Sequence, residues 1–431
     1  AAYHHGEKSL GGSIVGLAQN FVGSNNMNLL EPIGQFGTRL LGGKDAAQSR
    51  YIYTQLSPLT KILFNPSDEP LYKYLDDDGM KIEPESYCGI LPNILINGGE
   101  GIGTGFSSSI PCYNPLDLIE YIKNKMENKD SKKLIPWYRG FTGTIEEISQ
   151  GTYLSKGTYQ KLSCTEIRIT ELPIGTWTEK YIEFLDKITI DKGKEDSSHI
   201  IKGFTDNSSE STVDITLRFC PNVLAKILIK PNIDNMKNIE KVLKLYCKIN
   251  TSNMWLFNCD NMIKKYTNVE EIIDEWYNYR YTLFVKRKAY LLEKLNKELN
   301  IIKFKVMFIN EIINETIDIR NKTKKEVYEL LESKEYPQLS TKNEESDEFK
   351  SYDYLLNMNL YKLTKEEIEK LTNEKILKVL EVNELESTTE NQMWCNELNN
   401  YGDLFSKEIK DYSKKASPSL SNNKKKLILK K

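Results

Sequence analysis

Between residues 284 and 313, apolar side chains recur as Phe284, Leu291, Leu295, Ile302, Val306, Ile309 and Ile313, at intervals of 7, 4, 7, 4, 3 and 4. Such intervals keep one stripe of a helix apolar, and charged residues fill the remaining faces. The pattern belongs to a helix running from residue 269 to about 317, roughly 70 Å long at 1.5 Å per residue. A seam of this kind asks for a partner. A second helix is expected from Thr364, where Thr364 and Glu367 have capping-box spacing, continuing through Leu371 and Leu377. The simplest packing is an antiparallel pair, with residues 318–363 forming a globule at the turn.

The chain has 431 residues, enough for two or three domains with sizeable cores. Ahead of the long helix it reads as α+β. Over residues 86–260, strands such as TEIRITEL and STVDITLRF alternate with helices such as NPLDLIEYIKNKM. ILPNILING reads as a buried strand leading into the turn GGEGIGTG. Nearer the start, SLGGSIVGLAQNFVG carries Ile14, Leu17, Ala18 and Phe21 at helical spacing. A glycine-rich, hairpin-like block follows, EPIGQFGTRLLGGKD, and then RYIYTQLSPLTKILF, which alternates before turning helical. The last 25 residues hold nine lysines against Glu408 and Asp411, leaving a net charge of +7. They read as a disordered basic tail, suited to DNA or nuclear import.

The whole chain carries a formal charge of −2, so any nucleic-acid surface must be a local patch. Seven scattered cysteines with no C-x-x-C pair argue against a structural zinc site or a disulfide framework, and suit a reducing compartment. No apolar run approaches the roughly 18 residues that span a membrane, and no signal peptide is expected. The chain opens at Ala1 inside motif-like sequence, which reads as a fragment lacking an N-terminal part.

Four clusters could carry chemistry. YHHGE pairs His4 with His5; neighbours on a helix point about 100° apart, so both cannot face a core. Arg50 directly precedes Tyr51. A free phenol titrates near pH 10, so attack by Tyr51 on a phosphate needs help. Arg50 can neutralise charge on the transferring phosphorus, and a nearby imidazole can share the proton. GEGIGTG lacks a Walker lysine and opens no βαβ unit; its alternative use is to raise Ile102 on a glycine turn as an apolar wedge between base pairs. Asp76, Asp77 and Asp78 lie in a polar stretch without a partner acidic motif, and read as a solvated loop.

YHHGE, AQNFVGSNN, GQFGTR, GGKDAA and RYIYT, in this order, closely resemble the breakage–reunion region of eukaryotic-type or viral type II DNA topoisomerases. The match continues through PLYKY, ILPNILINGGEGIGTGFSSSIPCYNP, WYRGFTGTIEE, ITELPIGTWTEKY and YDYLLNMNLYKLTKEEIEKL, from Tyr3 to about Leu371. It weakens over residues 187–250 and 318–350. The resemblance implies a multidomain α+β fold: a partial winged-helix domain over residues 1–85, an α/β tower over 86–265, and an antiparallel coiled coil with a helical C-gate globule over 266–406. The basic tail would occupy 407–431.

The same resemblance implies roles. Tyr51 matches the tyrosine that forms a 5′-phosphotyrosyl bond with a cleaved strand, Arg50 the arginine that stabilises its transition state, and His4 and His5 the active-site histidine pair on a recognition helix. Ile102 matches the isoleucine that intercalates and bends DNA. Tyr3, Ser9, Gln35, Arg39, Lys44 and Trp177 match DNA-binding positions. The partners implied are double-stranded DNA and a second copy of the chain, joined through the C-gate and the winged-helix region, with no membrane. Mg2+ and ATP are implied as cofactors held by parts of such an enzyme outside these residues, without which this chain is expected to be inactive. The implied location is the nucleus, or an infected host cell if the protein is viral.

Overall fold

The structure, a computed structural model, describes residues 3–189, 200–230, 236–339, 351–358 and 365–416. It combines helices with antiparallel strands, and divides into two compact units. One comprises residues 1–281 together with 394–431; the other comprises residues 282–393. The segment expected as one piece over 266–406 is shared between the two units.

The first unit is organised around two antiparallel sheets. The larger has the strand order Thr158–Lys161, Glu166–Glu171, Ile215–Phe219, Ile201–Asp206. Its central strands follow the period of two that a half-buried sheet requires. Ile167, Ile169, Ile215, Leu217 and Phe219 face inward, under a layer that includes Tyr181 and Leu185 of the helix Thr178–Ile188 and Leu224 and Ile227 of the helix Val223–Ile229. On the opposite face, Arg168 donates to Asp214 with Nε at 2.6 Å and Nη2 at 2.8 Å. The smaller sheet joins Tyr246–Asn250, Thr152–Lys156 and Thr144–Ser149.

The last helix, Glu390–Ala416, supplies the first unit with Trp394, Leu398, Tyr401 and Phe405, all fully buried. Their spacing of four, three and four residues is one helical stripe. The Trp394 indole donates to the Ile90 carbonyl at 3.0 Å, and Arg139 lies over the Tyr412 ring at 5.0 Å. Residues 407–416, expected within the tail, instead continue this helix. Residues 417–431, the remainder of that tail, lie outside the described residues.

Two other expectations are corrected. Asn93–Asn97 of ILPNILING is a short helix, not a strand. A short apolar run does not separate the two by periodicity, and here Asn97 decides: its side chain accepts from the Met27 amide at 2.9 Å and donates to the Met27 carbonyl at 2.8 Å. Asp76–Asp78 is not an open loop. Tyr74–Asp77 and Met80–Pro84 form a hairpin closed by Asp78-Gly79, a pair whose backbone suits a tight two-residue turn.

The second unit contains most of the long helix Val269–Ile313, together with Lys324–Ser333, Asp353–Leu356 and Lys365–Ser387. Along the seam Phe284, Ile302 and Ile309 are buried, Leu291, Leu295 and Val306 are half-buried, and Ile313 is exposed. Lys378 reaches Glu298 at 3.0 Å and Lys288 reaches Glu390 at 3.5 Å, so the later helices run back along the long one. Leu377, expected along the second helix, lies on it and is 60% exposed. Thr364, the expected cap, lies outside the described residues. A core of Phe308, Ile317, Val327, Leu331, Tyr336, Tyr352, Tyr354 and Leu355 joins the end of the long helix to residues of the expected globule, 318–363.

Asp68 and Arg280 form an ion pair at 2.6 Å with neither side chain exposed to water. Arg280 also donates to the Cys88 carbonyl at 2.9 Å. Removing one charge from such a pair strands the other. Asp68→Asn is therefore expected to cost about 3–5 kcal/mol, read as a lower denaturant midpoint for the first unit. Beside this pair, burial pushes the Cys88 thiol from its ordinary 9.0 up to about 11. Burial and then Asp68 push the Tyr72 phenol from 10.0 up to about 12. Both groups are neutral when protonated, and the unfolded chain releases their protons first. Their contribution is thus whole below pH 9 and falls as pH rises through about 12. Stability measured from pH 8 to 12 should decline over that window, and Tyr72→Phe should flatten its upper part.

Candidate nucleic-acid interface

Arg50 and Tyr51 sit on one turn of 3₁₀ helix, Ser49–Tyr51, in the return arm of an antiparallel ribbon. Hydrogen bonds join the arms: Glu31 N–H to the Gln55 carbonyl at 2.8 Å, Tyr53 N–H to the Ile33 carbonyl at 3.0 Å, and Ala47 N–H to the Gln35 carbonyl at 2.9 Å. Between these rungs the side chains alternate. Ile52 turns in over Gly34, where even a methyl group would lie 3.0 Å from the Ile52 side chain and the backbone φ of +114° disfavours any other residue. Its neighbours turn out: Tyr51 is 69% exposed and Tyr53 is 73% exposed. The Arg50 guanidinium lies 5.6 Å from the centre of the Tyr51 ring, within cation–π range. Arginine and phenol are thus held together in solvent, not in a core.

The helix Glu7–Ala18 passes beside this turn, since a methyl at Gly11 would sit 3.7 Å from the Ser49 Cβ. Tyr3, His4 and His5 come just before the helix and are exposed. The expected placement of the histidines on a helix is corrected: the helix begins at Glu7, beyond them. The Tyr3 hydroxyl is 2.8 Å from the Ser9 hydroxyl, and the Tyr3 and His5 rings meet edge to face at 5.3 Å. Neither imidazole is hydrogen-bonded to Tyr51 among the described residues. The arrangement brings Arg50 to Tyr51 and Tyr3 to Ser9 and His5, as two adjacent groups.

The glycine-rich loop between the ribbon arms is cinched by Asp45, which accepts from the Thr38 amide at 2.9 Å and the Thr38 hydroxyl at 2.5 Å. Gln35 and Lys44 are exposed on it. Arg39 is not. Its side chain is 5% exposed and ion-paired with Glu171, which itself is 2% exposed. Arg39 also donates to the Leu172 carbonyl at 3.3 Å. In this structure Arg39 is therefore engaged internally, unlike the exposed Gln35 and Lys44. Trp177 is half-buried: its indole lies over Gly42, at a distance where a Cβ would come within 2.3 Å of the ring. It also meets Phe21 edge to face at 5.8 Å. Ile102 lies on the strand Gly99–Gly103, paired across the hairpin with Ser107, and is 95% exposed.

Several residues that hold this surface together escaped sequence reasoning. Gln19 donates to the carbonyls of Phe36 at 3.0 Å and Gly43 at 3.2 Å, fixing both ends of the glycine loop. Asn26 donates to the Tyr113 and Trp137 carbonyls, at 3.1 and 2.9 Å, and accepts from the Arg139 amide at 2.8 Å. The available signal was the cluster of amides in AQNFVGSNN, polar residues beside a helix end with no charge to pair them. Among the described residues, no three His, Cys, Asp or Glu side chains gather where they could hold a metal ion. GEGIGTG forms a strand and turn that lead into another strand, Phe106–Ile110, not into a helix N-terminus that would cradle nucleotide phosphates.

The sequence pattern of the family of DNA gyrase/topoisomerase IV A subunits matches residues 1–399. DNA topoisomerase 2 of Pisum sativum is 39% identical over 93% of this chain, and DNA topoisomerase 2 of Acanthamoeba polyphaga mimivirus is 35% identical over 94%. The chain spans 29% and 36% of the lengths of these two relatives. Among solved structures, the Plasmodium falciparum topoisomerase II DNA-binding, cleavage and re-ligation domain superposes with a TM-score of 0.84 at 37% identity. That likeness covers 96% of this chain and 57% of the other. A match to the family pattern over residues 1–399 means that the chain belongs to the family of DNA gyrase/topoisomerase IV A subunits.

Proposed function

We propose that the chain is the DNA-cleavage and religation core of an ATP-dependent type II DNA topoisomerase: it makes a transient double-strand break, passes a second duplex through it and reseals it. The observation that carries this reading is the solvent-facing Arg50–Tyr51 turn. A tyrosine that merely packed a core would be covered, whereas this one is 69% exposed with a guanidinium against its ring. In the proposed step, the Tyr51 phenol oxygen bonds to a backbone phosphorus as the bond from phosphorus to the 3′ oxygen breaks. The phenolic proton passes to His4 or His5 and ends on the departing 3′ oxygen. Arg50 offsets the negative charge that accumulates on the phosphoryl oxygens. One phosphoester replaces another of similar energy, so the reverse attack by the 3′ hydroxyl reseals the strand without ATP.

Ile102 would open a base step and bend the duplex, while Tyr3, Ser9, Gln35, Lys44 and Trp177 line the backbone path; Arg39 acts only by holding the loop. In this reading residues 1–85 serve as a winged-helix domain, 86–265 as a tower, and 266–406 as coiled coil and C-gate. Two copies join there and through the winged-helix region, so that two tyrosines cut opposite strands. Among the described residues no three His, Cys, Asp or Glu side chains gather for a metal ion; the reading assigns Mg2+ and ATP to other parts of the complete enzyme, and no step above runs through either. A nuclear location, or an infected host cell for a viral protein, suits this role.

A cleavage reaction containing this chain within its complete enzyme, stopped with detergent, should yield a covalent protein–DNA adduct. Tyr51→Phe should abolish it, and an adduct that survives would assign the nucleophile elsewhere. Arg50→Ala should slow adduct formation by about 10²–10³-fold, the usual weight of one charge-stabilising donor. Ile102→Ala should reduce bending, seen as end-to-end energy transfer in a dye-labelled duplex, with only modest loss of affinity because phosphate contacts dominate binding. Sedimentation of the chain should show a dimer.

A further inference from the structure

A wedge works only if its backing does not yield. The hairpin that carries Ile102 is short and has glycine at positions 99, 101, 103 and 105, and an isolated two-stranded hairpin is at best marginally stable in water. Its support comes from the strand Met254–Phe257, itself paired with Ile263–Tyr266. The Ser109 amide donates to the Asn253 carbonyl at 2.8 Å. The Ser108 hydroxyl donates to the Trp255 carbonyl at 2.7 Å and accepts from the Trp255 amide at 3.1 Å. The Asn253 side chain donates to the Ser107 hydroxyl at 2.9 Å, and Ser107 is the cross-strand partner of Ile102. The Phe106 and Trp255 rings meet edge to face at 5.3 Å, with Lys265 5.9 Å from the indole. Phe106 adjoins Ser107 in sequence, so it lies on the opposite face of the hairpin from Ile102.

We infer that Trp255 is a positioning residue for the wedge. It braces the hairpin from behind, through Phe106 and Ser108, so that Ile102 stays upright when a base step closes on it. This rests on the proposed wedging by Ile102. The role is mechanical and lies away from DNA: Trp255 acts on the base step only through the strand that bears Ile102.

The test uses this chain and a duplex of about 30 base pairs with dyes at its ends. Trp255→Ala should lower the bent fraction roughly five- to tenfold, the weight of the edge-to-face contact with Phe106, with little change in affinity; the Ser108 hydrogen bonds are to the residue 255 backbone and persist. Trp255→Phe, which keeps an aromatic edge toward Phe106, should restore most of the bending. In an Ile102→Ala background, Trp255→Ala should do nothing further. If Ile102→Ala alone leaves bending intact, the wedge and its brace both fall. If Ile102→Ala abolishes bending but Trp255→Ala does not, or if the two effects add in full, the brace falls and the wedge stands. Should Trp255→Ala lose its native circular dichroism, Ser108→Ala takes its place; a folded Ser108→Ala variant with unchanged bending would overturn the inference.

Discussion

A carboxylate enclosed away from water must find donors inside the protein, and Glu171 draws them from three parts of the chain. One oxygen takes the Arg39 guanidinium and the Leu172 amide; the other takes the amide and hydroxyl of Thr142, at 3.0 and 2.9 Å. A buried ion pair rarely adds net stability over a well-packed apolar contact, but it penalises every arrangement that leaves a charge alone. Here the penalty selects one position for the glycine loop at the end of the strand Glu166–Glu171. The loop lies between the two arms of the ribbon, so the seating of Arg39 constrains where Arg50 and Tyr51 emerge. Gln19 and Asp45 complete this from the other side, through carbonyls and amides that a loop without regular structure would otherwise leave unsatisfied.

This explains why the loop is rich in glycine. The indole of Trp177 occupies the space above Gly42 that a side chain would need. The motif is thus as much about close packing as about contact with a ligand, and the two uses are linked: a loop held this tightly can present Gln35 and Lys44 at fixed positions. Ile102 shows the same division of labour. Its exposed side chain is the visible feature, while the residues that make it stiff come from nearly 150 positions further along the chain.

Much of this was legible in advance where one physical rule dominated. The seam of the long helix announced itself because intervals of three, four and seven scarcely arise except along one face of a helix, and the strands around Ile167 and Ile215 followed a clean alternation. The exposure of Tyr51 was not legible, since an alternating run places a residue on one face without saying which face is covered; Ile52 over Gly34 settles that only in three dimensions. The burial of Arg39 was not legible for a related reason: its role came from the resemblance alone, and its carboxylate partner lies 132 residues away. Asn93–Asn97 was misread because five residues are too few to show a period. The stripe Trp394, Leu398, Tyr401 and Phe405 lay within the segment expected as coiled coil and C-gate, and its spacing alone does not say which core it joins.

The position of that stripe in the chain has a consequence for synthesis. Tyr401 touches Met27, and Trp394 bonds to Ile90, so the first core is closed by residues made more than 300 positions after it was begun. Contacts this distant are slow to form, because the chain between them must be ordered first. As the ribosome works, the apolar sockets around Met27 and Ile90 wait unfilled while the whole second unit is made. A nascent polypeptide of this design therefore has reason to be shielded by chaperones until the helix Glu390–Ala416 arrives.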